Sequence, residues 1–133
     1  MDEQLTATIR AAMPLAVLLG FEGVESGPDA LVLSGRWAPE HCTAGGVLHG
    51  GYLMALADCA AATLAFLNLP PGARTATIEG KTNFLAAVRE GSVKARAEIV
   101  HKGRATIVLQ VDVRDDTGRL VTRTLQTQAV IEA

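Results

Sequence analysis

Val93, Ala95, Ala97 and Ile99 alternate with Lys94, Arg96 and Glu98, and Ile107, Leu109, Val111 and Val113 repeat the pattern further on. A period of two with one apolar face marks a strand that buries one side. Strands are expected at 74–87, 91–102, 104–115 and 119–131, with Lys102-Gly103 and Asp115-Asp116-Thr117-Gly118 as hairpin turns. Upstream, 15–26 and 30–37 read as two further strands, and 4–12 as a short helix.

Between these blocks the pattern changes. From about Gly50 to Leu67 there is no alternation, Ala and Leu dominate, and the run stops at Asn68-Leu69-Pro70-Pro71-Gly72. That is a helix of about 18 residues, about 27 Å long. Leu53, Leu56, Ala60, Leu64 and Leu67 form its bulky stripe. Gly51, Ala55, Asp58, Ala62 and Ala65 form a second stripe of small residues with a carboxylate at its centre. One long apolar helix beside an antiparallel meander implies an α+β fold in which the sheet wraps around the helix. The 133 residues are read as one domain, 1–133.

Composition narrows the function classes. With 49% hydrophobic and 20% charged residues and a net charge of −2, nothing calls for nucleic acid as partner. Cys42 and Cys59 suggest neither a disulfide framework nor a metal site. The acidic start Met1-Asp2-Glu3 is no secretory leader, and Asp58 interrupts the apolar run 52–67, so no membrane partner and a cytoplasmic location are expected. Charge is nonetheless uneven: 74–104 carries seven bases against three acids. Such a segment suits a phosphate-bearing ligand, or else forms the solvated outer faces of strands.

Asp58 is the only formal charge between Cys42 and Ala73, with His49 counted as neutral. Burying an unpaired carboxylate is costly, so it is either a functional acid or base, or a structural group that pairs with a distant Arg, bonds a backbone group or sits at an exposed gap in the helix. His49-Gly50-Gly51 stands where the helix begins. Free amides and the positive dipole end could hold an oxyanion there, and glycine permits close approach; a simple tight turn would use the same residues. Gly50 and Asp58 lie about 12 Å apart along one helix. If both act on one substrate, Asp58 must come from a second copy of the chain.

His49-Gly50-Gly51 followed by Leu56-Ala57-Asp58 resembles the H-G-G-x(5–6)-A-D signature of hotdog-fold thioesterases of the phenylacetate-degradation (PaaI-like) type. Thr77–Leu85, Gly91, His101–Arg104 and Asp116–Leu120 are similar to that family's later strands and turns. The resemblance implies a hotdog fold and hydrolysis of an acyl-CoA thioester, with no cofactor beyond the CoA of the substrate. It also implies self-association as a homodimer or, with two dimers paired, a homotetramer. Gly50 would donate its N–H to the thioester oxygen, with Gly51 beside it. Asp58 of the partner subunit would act as general base or nucleophile, His49 would shape the loop, and Thr77 falls near a hydroxyl that some relatives place beside the attacking water. Thr43 stands where relatives usually carry Asn or Gln. Arg89, Lys102 and Arg104, at strand ends or turns, are the candidate CoA contacts. A non-catalytic acyl-CoA-binding module and, more distantly, an enoyl-CoA hydratase are the alternatives.

Overall fold

A computed structural model describes residues 1–132; the last position of the expected span 1–133, Ala133, lies outside the described residues. The elements in chain order are α1 (Glu3–Ala12), α2 (Pro14–Leu19), β1 (Glu22–Ser26), β2 (Ala30–Arg36), a 3-10 turn (Pro39–His41), α3 (Gly50–Leu67), β3 (Arg74–Phe84), β4 (Ser92–Lys102), β5 (Thr106–Asp115) and β6 (Leu120–Ile131). The six strands form one antiparallel sheet in the order β1-β2-β4-β5-β6-β3, and α3 packs against β2 to β6. The sheet wraps around its long helix, as the α+β hotdog expectation requires.

The expected strand at 15–26 is corrected in its first half. Proline at the first helical position suits α2, and Gly20, at φ 71, closes it in the left-handed conformation. The five apolar residues from Leu15 to Leu19 therefore wind rather than extend, and only Glu22–Ser26 pairs as a strand. A simple meander is also too simple. β4, β5 and β6 do follow one another, but β3 crosses to the far edge and pairs with β6 instead of β4.

Alternation does its work in the middle of the sheet. Val93, Ala95 and Ala97 on β4 and Ile107, Leu109, Val111 and Val113 on β5 are buried, while Lys94, Arg96 and Glu98 face solvent. Against them lie Leu53, Leu56, Ala60 and Leu64 of α3. Leu67, expected on that stripe, is exposed. By length and composition α3 could cross a bilayer, yet ten of its residues are buried within this core.

The N-terminal half of α3 is pinned to the sheet. Tyr52 Oη donates to the Arg36 carbonyl at 3.1 Å and accepts from the Arg36 N–H at 3.0 Å. Gly35 must be glycine for this, because a Cβ there would run into the Tyr52 hydroxyl. Phe21 packs edge-on against the Tyr52 ring at 5.4 Å and His41 stacks on it at 4.4 Å. Loss of hydration pushes the Tyr52 hydroxyl above its ordinary pKa, against the opposing effect of its backbone bond to Arg36.

Candidate active site

The sheet leaves one stripe of α3 uncovered. Gly51, Met54, Ala55 and Asp58 of α3 line a groove of about 360 Å³ with Thr77, Gly80 and Thr82 of β3 and Thr124 and Gln126 of β6. The stripe differs from the expected one at its end. Ala65 is fully buried, whereas Met54 and Phe66 are exposed, so the open face is not made of small residues alone.

Asp58 is half-buried at the groove floor, and no cation pairs with it among the described residues. Neutral donors hold it instead. Thr77 Oγ1 donates to Asp58 Oδ1 at 2.9 Å, and Gln126 Nε2 donates to the same oxygen at 2.8 Å. The neighbouring Cys59 thiol is pushed up to about 11, first by burial and then by the Asp58 charge, so it stays protonated and belongs to the core.

At the other end of this stretch, His49 caps the helix. Its Nδ1 accepts the Gly51 N–H at 2.7 Å, and its backbone N–H donates to the His41 carbonyl at 2.9 Å. An Nδ1 that accepts carries no proton, so the neutral ring holds its proton on Nε2. The Gly51 amide is thereby occupied, while the Gly50 N–H has no partner among the described residues. Phe84 lies over Gly50; a Cβ at position 50 would come within 2.9 Å of its ring. Val47, Leu48, Gly50, Leu53 and Phe84 line a second, apolar hollow of about 380 Å³ beside that amide.

The chain thus presents a free amide at a helix start and an uncompensated carboxylate further down the same helix, opening into different hollows. Thr43 is exposed on the loop before His49, its N–H donating to the Val47 carbonyl at 2.9 Å. The three candidate CoA bases are not brought together. Arg89 reaches the Gly45 carbonyl at 3.1 Å, at the start of β4, whereas Lys102 and Arg104 flank the turn at its other end. Eleven residues of strand separate those ends, about 35 Å.

Sequence reasoning overlooked Gln126 and Gln128. Both are buried on the inner face of β6, where Thr122 and Thr124 are also buried. The signal was present as an alternation of the unexpected kind: polar residues at period two, with Leu125 between them facing out.

The model of the Thioesterase superfamily matches residues 45–122, which include the helix start, Asp58 and the strands β3 to β5. The chain belongs to the Thioesterase superfamily. A solved Haemophilus influenzae thioesterase in this superfamily's fold superimposes with a TM-score of 0.91 at 29% identity, over 99% of this chain and 91% of that one. A candidate esterase of Mycobacterium tuberculosis is 30% identical over 120 residues, 88% of this chain and 86% of its own length. The 1,4-dihydroxy-2-naphthoyl-CoA hydrolase of Listeria monocytogenes is 36% identical over 76 residues, 57% of this chain and 62% of its own length. Membership and fold agree with the hotdog thioesterase resemblance read from the sequence.

Proposed function

We propose that this superfamily member is an acyl-CoA thioesterase that works as a homodimer, with Asp58 of one chain serving the Gly50 amide of the other. The observation that carries the reading is Asp58 itself, a carboxylate in an open groove whose neighbours are all uncharged. Two uncharged donors hold it in place, and no cation among the described residues neutralises it.

The chemistry follows from the two groups. Asp58 removes a proton from water, and the resulting hydroxide adds to the thioester carbonyl carbon. Charge then collects on the carbonyl oxygen, where the Gly50 N–H and the positive end of α3 stabilise it. Collapse of the adduct expels the CoA thiolate. His49 contributes by holding the Gly51 amide and fixing the loop, with Gly51 and Thr77 beside the substrate. Thr43 offers a short hydroxyl to the carbonyl or the water. Arg89, or the Lys102–Arg104 pair, takes the CoA phosphates; one chain cannot use all three on a single group.

A separation of about 12 Å along α3 rules out both groups of one chain acting on one carbonyl. β3 supplies the place for a second copy: it is an eleven-residue strand at the sheet edge, bordering the Asp58 groove. Pairing dimers would give the tetramer. The hydrolase name of the Listeria relative supports a CoA thioester as the substrate class.

The test is thiol release from short, medium and aryl acyl-CoAs by wild type and Asp58→Asn. The substitution should lower kcat by about 10²–10⁴-fold, the usual worth of a positioned base, with little change in Tm. Turnover that survives it excludes Asp58 as the base. Mixed dimers of Asp58→Asn and Gly50→Pro, which lacks the amide hydrogen, should regain one working site of two.

A further inference from the structure

Behind Asp58 the polar side chains of β3 and β6 are wired in one direction. Gln128 Nε2 donates to Gln126 Oε1 and to Thr77 Oγ1, each at 2.6 Å. Gln126 and Thr77 then each donate to Asp58 Oδ1, closing a ring around that oxygen. At the far end Thr75 Oγ1 lies 3.0 Å from Gln128 Oε1 and 2.8 Å from the Ala129 carbonyl. The orientation of each amide is forced. A carboxylate only accepts, so Gln126 must turn its NH₂ to Asp58, and its oxygen must then receive the NH₂ of Gln128.

Such a ring is costly unless complete. The Gln126 and Gln128 side chains are 3% and 0% exposed, and apolar residues would fill the same inner face of β6 more cheaply. Two donors converge on Oδ1, whereas none reaches Oδ2 among the described residues.

Resting on the base role proposed above, we infer that Gln128, Gln126 and Thr77 are positioning residues that reserve Oδ1 of Asp58 as an anchor and leave Oδ2 to take the proton from water. A proton on Oδ1 would face two donor hydrogens, so protonation there is disfavoured. The proton lost by water goes to Oδ2, the hydroxide oxygen bonds to the carbonyl carbon, and the ring holds the carboxylate plane throughout. Gln128 touches neither water nor substrate; it acts through Gln126 and Thr77.

Gln126→Met and Gln128→Met keep side-chain volume and remove the donors, while Thr77→Val does the same at an exposed position and guards against misfolding of the buried variants. Hydrolysis of the acyl-CoA panel by each, beside wild type and Asp58→Asn, gives kcat and KM, and thermal unfolding gives Tm. Gln126→Met and Thr77→Val should each lose kcat about ten-fold, the worth of a hydrogen bond to a charged group, and Gln128→Met less, because it acts through those two; KM should stay within about two-fold in all three, because the ring positions the base and not the substrate. A merely structural role would lower Tm and reduce turnover only in proportion to the loss of folded protein, which overturns the inference. Unchanged kcat in folded Thr77→Val and glutamine variants, with Asp58→Asn inactive, also overturns it while the base role stands. An active Asp58→Asn, or a wild type that hydrolyses nothing on the panel, removes the base role and the inference together.

Discussion

The two sides of the helix's wrapping differ in kind. On β2, β4 and β5 the inward residues are Leu31, Leu33, Val93, Ala95, Ala97, Ile107, Leu109, Val111 and Val113, all apolar and essentially without exposed surface. On β6, between Val121 at one end and Val130 at the other, they are Thr122, Thr124, Gln126 and Gln128, equally buried and all polar. One helix therefore meets a dry wall on one side and a hydrogen-bonded wall on the other, and Asp58 faces the second. Burial alone separates nothing here. Only the chemistry of the buried face distinguishes the half that holds the molecule together from the half that orients a carboxylate.

The dry wall should answer to stability and not to activity. Leu33 on β2 is fully buried opposite Ala95, away from the Asp58 groove. Leu33→Ala leaves a cavity and should cost about 2–5 kcal/mol, lowering Tm by roughly 10 °C. At temperatures well below the new Tm, kcat and KM should match wild type. Calorimetry paired with thiol release checks both halves of the statement, and a loss of kcat larger than the loss of folded protein would break the division.

Gly50→Ala probes the helix start, where the opposite result is expected. The added Cβ would meet the rim of the Phe84 ring, which is itself exposed and free to swing aside. Alanine also costs less conformational entropy than glycine in a helix, by about 1 kcal/mol. Stability should hold or rise slightly. Activity should fall about ten-fold, because the methyl and the displaced ring crowd the amide proposed to hold the oxyanion. Unaltered turnover with the ring displaced would show that the Gly50 amide needs no open approach.

How much of this could be read from residues alone follows from the same contrast. Where the buried face is apolar, period-two alternation marked β4 and β5 to within about two residues, and the Ala/Leu run gave α3 its observed bounds. Residues 15–19 defeated that reading because an unbroken apolar run carries no period; Pro14 and Gly20 held the helix signal instead. The crossing of β3 to the far edge could not be read, since β3 is exposed along most of its length and advertises no partner. Asp58, His49 and Gly50 were legible as outliers against their surroundings. Gln126 and Gln128 were not, because glutamines alternating along a strand ordinarily mean a solvated face, and only their burial shows that this face turns inward.

Thr122 supplies the smallest effect and the finest cut through the polar wall. It lies two positions before Thr124 on the same face, opposite Val113 on β5 and Phe84 on β3. Thr124 shares a 2.8 Å hydrogen bond with Thr82, but the Thr122 hydroxyl is buried with no partner among the described residues. If polarity on β6 served the fold as a whole, removing any of these hydroxyls would cost stability. If it serves only the ring that ends on Asp58, Thr122 is a bystander carrying a desolvation penalty. Thr122→Val exchanges the hydroxyl for a methyl of the same shape, so it should raise stability by about 1 kcal/mol and leave kcat and the pH profile alone. Denaturant unfolding reads the first and thiol release the second. A destabilised Thr122→Val would mean that its hydroxyl contributes to the wall after all, and that the polar face acts as one unit instead of a ring with an idle neighbour.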